Sequence, residues 1–573
     1  MARLLGTPAA PGIAVGPAWR YRPRGASGVP VVAVGSRGEA ELRIRRAADA
    51  AAAQLQVLAA QLRAADRPGD AEILEAQALM AIDPAIVDVA VRLARGGMAP
   101  VEAVLAAAET SAQVLAELDD PLLAARAGDV RDVAVRVARA MSGAQLELPD
   151  KPSIVVAEDL PPSLLAEIPA GLLLGLALSS GTPTAHVAIL ARSLGIPAVV
   201  AVPDLLDSVR GAAVVAIDGE NGHVEVNPAP ADLQALADRQ AVRGAHARAA
   251  AALRGRPAAT LDGQRVALLA NIRSPDDATR ALDAGAEGVG LFRTEYLFLR
   301  RHSAPSEAEQ TAEYRRAMEA FGPSRPVVIR LADIGGDKSI PYLVHADEPN
   351  PFLGVRAIRL GHDSRELLLT QLRAIWRAAG QAGVTPHAMA AMVATIADVE
   401  LLCGLRDEAR AAVVATGSAC PERMITGAMI EVPSAAIMAP ELARLVDFFS
   451  IGTNDLTQYV LAADRGNPSL AGLQDALHPA VLRTIAAVIA GADAAGIPVA
   501  ACGELAGDPA GAIVLVGLGV DELSAEAGSL DGMRAALMGV SGAQLRELAA
   551  RALAATDAET VRAYANEVLG AGL

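Results

Sequence analysis

Residues 446–459, VDFFSIGTNDLTQY, place an apolar run directly before Gly-Thr-Asn-Asp and then the start of an amphipathic segment. This order is typical of a strand, a loop and a helix in an α/β protein. Seven further strand-like segments lie between residue 261 and residue 573: RVALLANI (265–272), GVGLFRTE (288–295), PVVIRLADIGG (326–336), AMAAMV (388–393), AMIEV (428–432), PVAACGEL (498–505) and DELSAE (521–526). Eight β/α units in about 300 residues predict a closed parallel (β/α)8 barrel, with its chemistry at the carboxyl ends of the strands.

In the chain before this barrel, the spacing of apolar residues changes twice. From about Ser36 to Ser142 apolar residues recur at helical spacing, and prolines stand where helices should begin, which predicts a bundle of four to five helices. From Pro149 short apolar runs alternate with turns, which predicts an α/β domain that an N-terminal strand completes. The predicted fold class is therefore multidomain α/β, with a helical bundle inserted into an α/β domain and a barrel after it. The predicted boundaries are 1–20 with 146–228 for the α/β domain, 21–145 for the bundle, 229–258 for a linker helix and 259–573 for the barrel.

Composition narrows the class of protein. The 573 residues are 52% hydrophobic and carry a formal net charge of −16, so nucleic acid is excluded as a partner and a basic protein is favoured. Three cysteines lie far apart in the chain, which predicts a reducing, cytoplasmic compartment. The N-terminus lacks the apolar core of a signal peptide. The charge-free stretch 168–191 is interrupted by SSGTPTAH, so we expect no membrane insertion.

Charged residues stand at the ends of the predicted barrel strands. Arg293 and Arg330 follow the second and third strands and Arg465 follows the sixth, as expected for binding carboxylate or phosphate, although a rim of ordinary salt bridges would use the same residues. Glu431 and Asp455 end neighbouring strands, and paired carboxylates of this kind suit Mg²⁺. Arginines beside Mg²⁺ indicate a small phosphorylated carboxylate and phosphoryl transfer.

A cysteine and a histidine are the remaining candidates for chemistry. Cys502 ends the seventh strand, where a thiol could donate a proton to a carbanion, although a free cysteine is more often a small buried hydrophobe. His186 begins an apolar helix after small, polar residues that leave room for a bulky anion near the helix N-terminus. A lone histidine is more often structural, so the surrounding loop is what favours a phosphate-accepting role.

Taken together, these motifs resemble the enzyme I family of the phosphoenolpyruvate:sugar phosphotransferase system. The similar runs extend over the chain: APGIAVG (10–16), LDDPLLAARAGDVRDV (118–133), ARSLGIPAVV (191–200), GAEGVGLFRTEYLF (285–298), DIGGDK (333–338), NPFLGVRAIR (350–359), the opening stretch 446–459 and CGELAGD (502–508). The resemblance implies residue roles as follows: His186 as the phosphorylated histidine; Arg293, Arg330, Asn454, Asp455 and Arg465 as phosphoenolpyruvate ligands; Glu431 and Asp455 as Mg²⁺ ligands; and Cys502 as the acid that protonates the enolate of pyruvate.

The resemblance also implies partners and a reaction. A phosphoenolpyruvate-protein phosphotransferase of this family passes phosphate from phosphoenolpyruvate to His186 on a swivelling α/β domain, and then to the phosphocarrier HPr, which docks on the helical insertion. The family is typically a homodimer through the barrel. Several positions depart from its pattern: the loop before His186 lacks the usual second glycine and the serine, Gln77 stands where histidine is usual, and Ala391 replaces a usual proline at the fourth strand.

Two other functions are compatible with part of this sequence pattern. A pyruvate phosphate dikinase shares the histidine domain and the barrel but needs a large ATP-grasp domain, for which no segment of the sequence is available. A catalytically weak enzyme I paralogue that binds HPr or a metabolite as a regulator stays open as the alternative.

Overall fold

The protein is seen here in a computed structural model that describes most of the chain. The described residues are 2–21, 37–64, 68–116, 121–143, 148–182, 186–211, 214–299, 301, 303–336, 338, 340, 342–343, 348–465 and 467–571. They fall into two compact units, residues 1–244 and 245–573, which are described separately below.

The first unit contains two small sheets. Their strands are β1 (Ala2–Leu5), β2 (Thr7–Ala10), β3 (Ile13–Gly16), β4 (Ala18–Arg20), β5 (Ser153–Ala157), β6 (Leu173–Leu178), β7 (Ala198–Val200), β8 (Val215–Asp218) and β9 (His223–Val226). One sheet has the order β1-β9-β8-β3 and the other β2-β7-β6-β5-β4. The sequence predicts one N-terminal strand that completes this domain; the structure has four, each of which pairs with a strand that follows more than a hundred residues later. β8 and β9 form a hairpin whose turn ends at Gly222, with a φ of 69°.

Five long helices lie between β4 and β5 in the sequence. They are α1 (Arg37–Ala64), α2 (Pro68–Ala81), α3 (Pro84–Arg95), α4 (Pro100–Ala116) and α5 (Pro121–Ser142). Four of them begin at a proline, a residue that has no N–H to leave unsatisfied at a helix start. Their small and branched apolar residues form one core, separate from that of the sheets. The remaining helices of the first unit are α6 (Pro162–Glu167), α7 (His186–Ser193), α8 (Leu205–Ser208) and α9 (Pro230–Ala251), the last of which runs into the second unit.

The second unit is a closed barrel of eight parallel strands in sequence order. The strands are β10 (Ala267–Ile272), β11 (Val289–Arg293), β12 (Val327–Arg330), β13 (His387–Ala390), β14 (Ile425–Ile430), β15 (Phe448–Gly452), β16 (Val499–Cys502) and β17 (Glu522–Ala525). The helices are α10 (Asp277–Asp283), α11 (Glu307–Phe321), α12 (Leu360–Asp363), α13 (Arg365–Ala382), α14 (Ile396–Ala415), α15 (Pro433–Ile437), α16 (Ala439–Leu442), α17 (Thr453–Leu461), α18 (Pro479–Ala495), α19 (Glu504–Gly507), α20 (Pro509–Leu518), α21 (Leu530–Met538), α22 (Gly542–Ala554) and α23 (Ala558–Ala571).

The barrel predicted from eight strand-like segments is confirmed, strand by strand, as is the α/β class with an inserted helical bundle. The predicted boundaries between the four segments stay predictions. In the part of the chain that the structure describes, no helix is long and apolar enough to span a membrane.

Candidate functional site: the mouth of the barrel

A cavity of about 300 Å³ lies at the carboxyl ends of the barrel strands. Every barrel residue that the sequence singles out for substrate, metal or proton chemistry lines this cavity, and several further residues complete the lining. The singled-out residues are Arg293, Arg330, Glu431, Asn454, Asp455, Arg465 and Cys502. Strands β11, β12 and β16 end at Arg293, Arg330 and Cys502, β14 ends one residue before Glu431, and β15 ends two residues before Asn454. The fold therefore brings together, at one end of one barrel, side chains that lie more than 200 residues apart in the sequence.

Two neighbouring arginines form one wall of the cavity. Arg293 and Arg330 are register partners at the ends of β11 and β12. Arg330 is buried and donates a hydrogen bond to Glu295, and it lies 3.5 Å from a carboxylate oxygen of Asp333. Burial works to lower the pKa of Arg330, but the carboxylates of Glu295 and Asp333 outweigh it and raise the pKa, so the guanidinium keeps its charge.

Asp333 is the centre of a buried ion-pair network beside these arginines. Its Oδ1 accepts from Arg356 Nε at 2.9 Å, and its Oδ2 accepts from the same guanidinium at 2.7 Å. Lys338 Nζ also donates to Oδ2, at 2.6 Å. Burial opposes ionisation of Asp333, but Arg330, Lys338 and Arg356 together hold its pKa well below the usual range. The network therefore holds the side chains of Asp333 and Lys338 in place at the cavity wall.

We expect Arg356→Leu to destabilise the barrel by about 3–5 kcal/mol, because it leaves the buried Asp333 carboxylate without its bidentate partner. Denaturant unfolding followed by circular dichroism would measure the loss. Arg365→Leu is the matched control, since Arg365 pairs with Glu408 on the exposed surface and should change stability far less. Equal stability losses in the two variants would show that the Asp333 pair adds nothing to the fold.

Glu431 and Asp455 supply carboxylate oxygens to the floor of the cavity. Glu431 is 1% exposed, and its Oε1 accepts from the Met392 N–H at 2.7 Å. A Cβ at Gly452 would lie 2.5 Å from Glu431 Oε2, so glycine there makes space for the carboxylate. Burial, and then the charges of Asp455 and Asp333, raise the pKa of Glu431 to about 8. The raised pKa means that too little positive charge surrounds this carboxyl group to stabilise its ionised form fully.

The two carboxylates fit a divalent cation. Asp455 Oδ1 is buried and accepts no hydrogen bond from any described residue, and its nearest cationic groups are at 3.4 Å on Arg465 and 3.7 Å on Arg356. Among the described residues no three His, Cys, Asp or Glu side chains are grouped to hold a metal. Two protein carboxylates, with substrate and water in the other positions, are the usual arrangement for Mg²⁺.

Cys502 ends β16 inside the cavity and is buried. Ser450, on the neighbouring strand β15, donates a hydrogen bond to its Sγ at 3.1 Å. Burial raises the pKa of the Cys502 thiol, which outweighs the opposing effect of the Ser450 hydrogen bond and of Arg330. The group is therefore a protonated thiol at neutral pH and a candidate proton donor.

Arg465 and Asn454 border the open side of the cavity. Arg465 is partly exposed and stacks over the ring of Phe352, with its guanidinium carbon 5.2 Å from the centroid. Its backbone N–H donates a hydrogen bond to Gln458 Oε1 at 3.0 Å. Asn454 accepts from the Glu504 N–H at 3.1 Å through its side-chain oxygen. Gly503 allows this close approach, because a Cβ there would lie 2.0 Å from Thr453 Oγ1. Both side chains can reach a ligand in the cavity without moving the strands.

The predicted phosphate acceptor lies in the other unit. His186 is the first residue of α7, in agreement with the prediction that a helix begins there. Residues 183–185 of the altered loop lie outside the described residues. Gln77 is fully buried and donates to Asp129 at 3.1 Å and to Asp132 at 3.3 Å. It can thus affect a docking partner only through its neighbours.

Sequence reasoning missed several polar residues at the site. Asp333, Lys338 and Arg356 occur in the sequence only as parts of longer motifs, and Ser450 lies within an apolar strand pattern. Asp333 lies three residues after Arg330, the last residue of β12, so its position near a strand end is a signal of the kind that indicates Arg330. Lys338, Arg356 and Ser450 carry no such signal.

Family models match three successive parts of the chain. They describe the N-terminal part (5–126), the mobile domain (149–222) and the phosphoenolpyruvate-binding domain (247–541) of PEP-utilising enzymes. A phosphoenolpyruvate-protein phosphotransferase from Streptomyces coelicolor is 43% identical over 536 residues, which are 92% of this chain and 92% of that protein. This chain belongs to the phosphoenolpyruvate-protein phosphotransferase family. The family predicted from the sequence is thereby confirmed.

Longer relatives of the family match as well. Multiphosphoryl transfer proteins from Rhodobacter capsulatus and Xanthomonas campestris are 46% and 44% identical to this chain over 456 and 503 residues, or 79% and 86% of its length. The chain spans 54% and 59% of those proteins, little more than half of each.

Proposed function

We propose that this chain transfers the phosphoryl group of phosphoenolpyruvate to its own His186 and then to a histidine of the phosphocarrier HPr, the first step of sugar uptake by the phosphotransferase system. The observation that carries the proposal is the barrel-mouth cavity. In it three arginines, two carboxylates suited to Mg²⁺ and a protonated thiol line one space of about 300 Å³. In a small phosphorylated carboxylate, the arginines and Mg²⁺ would bind the negative charges, and the thiol would protonate the enolate that develops.

The arginines account for binding. Phosphoenolpyruvate carries a phosphate and a carboxylate, and guanidinium groups pair with both. Arg293, Arg330 and Arg465 supply the positive charge, and Asn454 supplies a side-chain amide at the open side of the cavity. Glu431 and Asp455 would hold Mg²⁺, which when bound neutralises negative charge on the phosphoryl group.

The bond changes balance with the groups present. A ring nitrogen of His186 forms a bond to phosphorus as the bond between phosphorus and the enol oxygen breaks. The electron pair left on the enolate then takes the proton of the Cys502 thiol at the methylene carbon, which gives pyruvate. Solvent returns a proton to Cys502 before the next turnover.

Domain movement and partners complete the proposal. His186 belongs to the first unit and the cavity to the second, and one histidine cannot contact phosphoenolpyruvate and HPr at the same time. The α/β domain is therefore proposed to swivel between the barrel and HPr bound on the helices α1–α5. The family resemblance supports a homodimer through the barrel. The net charge of −16 favours a basic carrier as the partner.

The direct test is intact-protein mass spectrometry after incubation with phosphoenolpyruvate and Mg²⁺. We expect a gain of one phosphoryl group per chain, its loss when HPr is added, and one pyruvate released for each group transferred. A regulatory paralogue would bind HPr or phosphoenolpyruvate without that gain, so a chain that stays unphosphorylated while it binds both ligands would overturn the proposal in favour of that alternative.

We expect Glu431→Gln to remove Mg²⁺-dependent activity. Glutamine keeps the shape of the side chain but takes one of two anchoring charges from a cation that gives up its water reluctantly. Pyruvate release titrated with MgCl₂ should show no saturable rise in the variant. Glu441→Gln, which changes an exposed carboxylate on α16, is the control and should titrate like the unchanged protein. A Glu431→Gln protein with an unchanged Mg²⁺ titration would remove Glu431 from the metal site.

A further inference from the structure

A second cavity, of about 750 Å³, lies wholly within the first unit. It lies where α1 and α5 of the helical insertion meet α6 of the α/β domain. Its lining consists of Ala53, Gln54, Val57, Leu58, Arg136, Arg139, Ala140, Gly143 and Glu167. Seams between domains are frequent places for ligand sites, and this volume falls within the range of small-molecule pockets. The proposed phosphotransfer uses none of these residues.

Two arginines of α5 give the cavity its charge. Arg136 and Arg139 are three residues apart on one helix, so they lie on the same face. Glu167 is the one carboxylate among the lining residues, and it accepts a hydrogen bond from Arg136. Two guanidiniums against one carboxylate leave the lining with an excess of one positive charge.

Arg136 is paired with Glu167, but not every N–H of its guanidinium group donates a hydrogen bond. Its side chain is 7% exposed, its contact with Gln54 is long at 3.4 Å, and its Nε is buried without a hydrogen-bond partner among the described residues. Asp132, one turn earlier on α5, interacts with both arginines through its charge. Its hydrogen bonds, however, come from Gln77 and Ser163. A buried guanidinium is costly unless anions pair with it, and among the lining residues Glu167 is the one carboxylate that accepts a hydrogen bond from Arg136.

The α1 side of the lining is apolar apart from Gln54. Ala53, Val57 and Leu58 present one face of α1 to the cavity, and Ala140 adds a small residue on α5. Val57 is 58% exposed although it is a large apolar residue. A wall of this kind next to two guanidiniums suits a ligand with an anionic end and an apolar body.

We propose that this cavity binds a small organic anion. Its carboxylate or phosphate would pair with Arg136 and Arg139, and its apolar part would lie against Val57 and Leu58. Because Arg136 belongs to the helical insertion and Glu167 to the α/β domain, the ligand would bind across the seam between them and add contacts that hold α5 to α6.

Hydrogen–deuterium exchange of the full chain tests the site and separates it from the barrel mouth, since each region is read from its own peptides. Phenyl phosphate is the probe, inorganic phosphate lacks its apolar part and benzyl alcohol lacks its charge. We expect phenyl phosphate to slow exchange in residues 53–58 and 136–143 at lower concentration than phosphate, and benzyl alcohol to have no effect there. Protection confined to barrel peptides, or none at all up to the solubility limit, would overturn the proposal.

Three variants of α5 sharpen the test. Arg139→Gln should weaken phenyl phosphate binding by about ten-fold or more, the value of a charge-assisted hydrogen bond. Ala140→Met narrows the cavity without changing its charge and should also weaken binding. Arg131→Gln is the matched control, because Arg131 lies on the same helix but pairs with Glu109 outside the cavity lining. Unchanged binding in Arg139→Gln and Ala140→Met, or an equal loss in Arg131→Gln, would refute the site.

Discussion

His186→Ala should abolish phosphorylation by phosphoenolpyruvate while it leaves phosphoenolpyruvate binding nearly intact. The acceptor and the proposed binding site belong to different units of the chain, and the groups that line the barrel-mouth cavity all come from residues 291–503. Removal of the imidazole therefore takes away the nucleophile but no arginine and no carboxylate. The expected mass gain falls to zero, and calorimetric titration of phosphoenolpyruvate gives an affinity close to that of the unchanged protein.

The matched control is His246→Ala, which removes an exposed histidine of α9 and should be phosphorylated in full. A complete mass gain in His186→Ala would assign the phosphoryl group to another residue. Loss of both phosphorylation and binding in that variant, with the fold retained, would mean that the histidine contributes to the substrate site itself and would contradict the separation of the two functions.

Much of the fold follows from local pattern. Most barrel strands are short apolar runs that end at or just before a polar residue, and burial on both faces of a parallel sheet favours such apolar runs. Proline at the first residue of α2 to α5 marks helix starts without any tertiary information. The division of the α/β domain into two sheets could not be predicted, because β1 and β3 choose partners, β9 and β8, that lie about 200 residues away.

The barrel-mouth site was predictable to the extent that its residues stand at strand ends. Arg293, Arg330 and Cys502 end β11, β12 and β16, and closure of the barrel brings such residues together without further assumptions. Arg356 lies in a loop, and only the folded structure shows its bidentate pair with Asp333. The cavity beside Arg136 depends on the way α1, α5 and α6 pack, and no motif in the sequence predicts it.

Cys502→Ser should keep the fold and slow pyruvate formation by about 10²–10⁴-fold, the usual contribution of a general acid. Serine is close to cysteine in size, and its hydroxyl can still accept the hydrogen bond that Ser450 donates to Cys502 Sγ. A hydroxyl is, however, a far weaker acid than a thiol, so proton delivery to the enolate should fail while packing survives. Phosphoenolpyruvate affinity should change little, because Arg293, Arg330 and Arg465 remain.

Steady-state kinetics of Cys502→Ser beside Cys403→Ser decide the question. Cys403 is a half-buried thiol on α14 that is not among the residues lining the barrel-mouth cavity, and its loss should have little effect. In the unchanged protein burial raises the pKa of the Cys502 thiol above the ordinary thiol value of about 8.5. Pyruvate formation should therefore stay constant as the pH passes that ordinary value, and fall only when the pH exceeds the raised pKa. That high-pH limb should be absent in Cys502→Ser. Small and equal effects of the two substitutions, with the limb unchanged, would mean that Cys502 is a core thiol and that another group protonates the enolate.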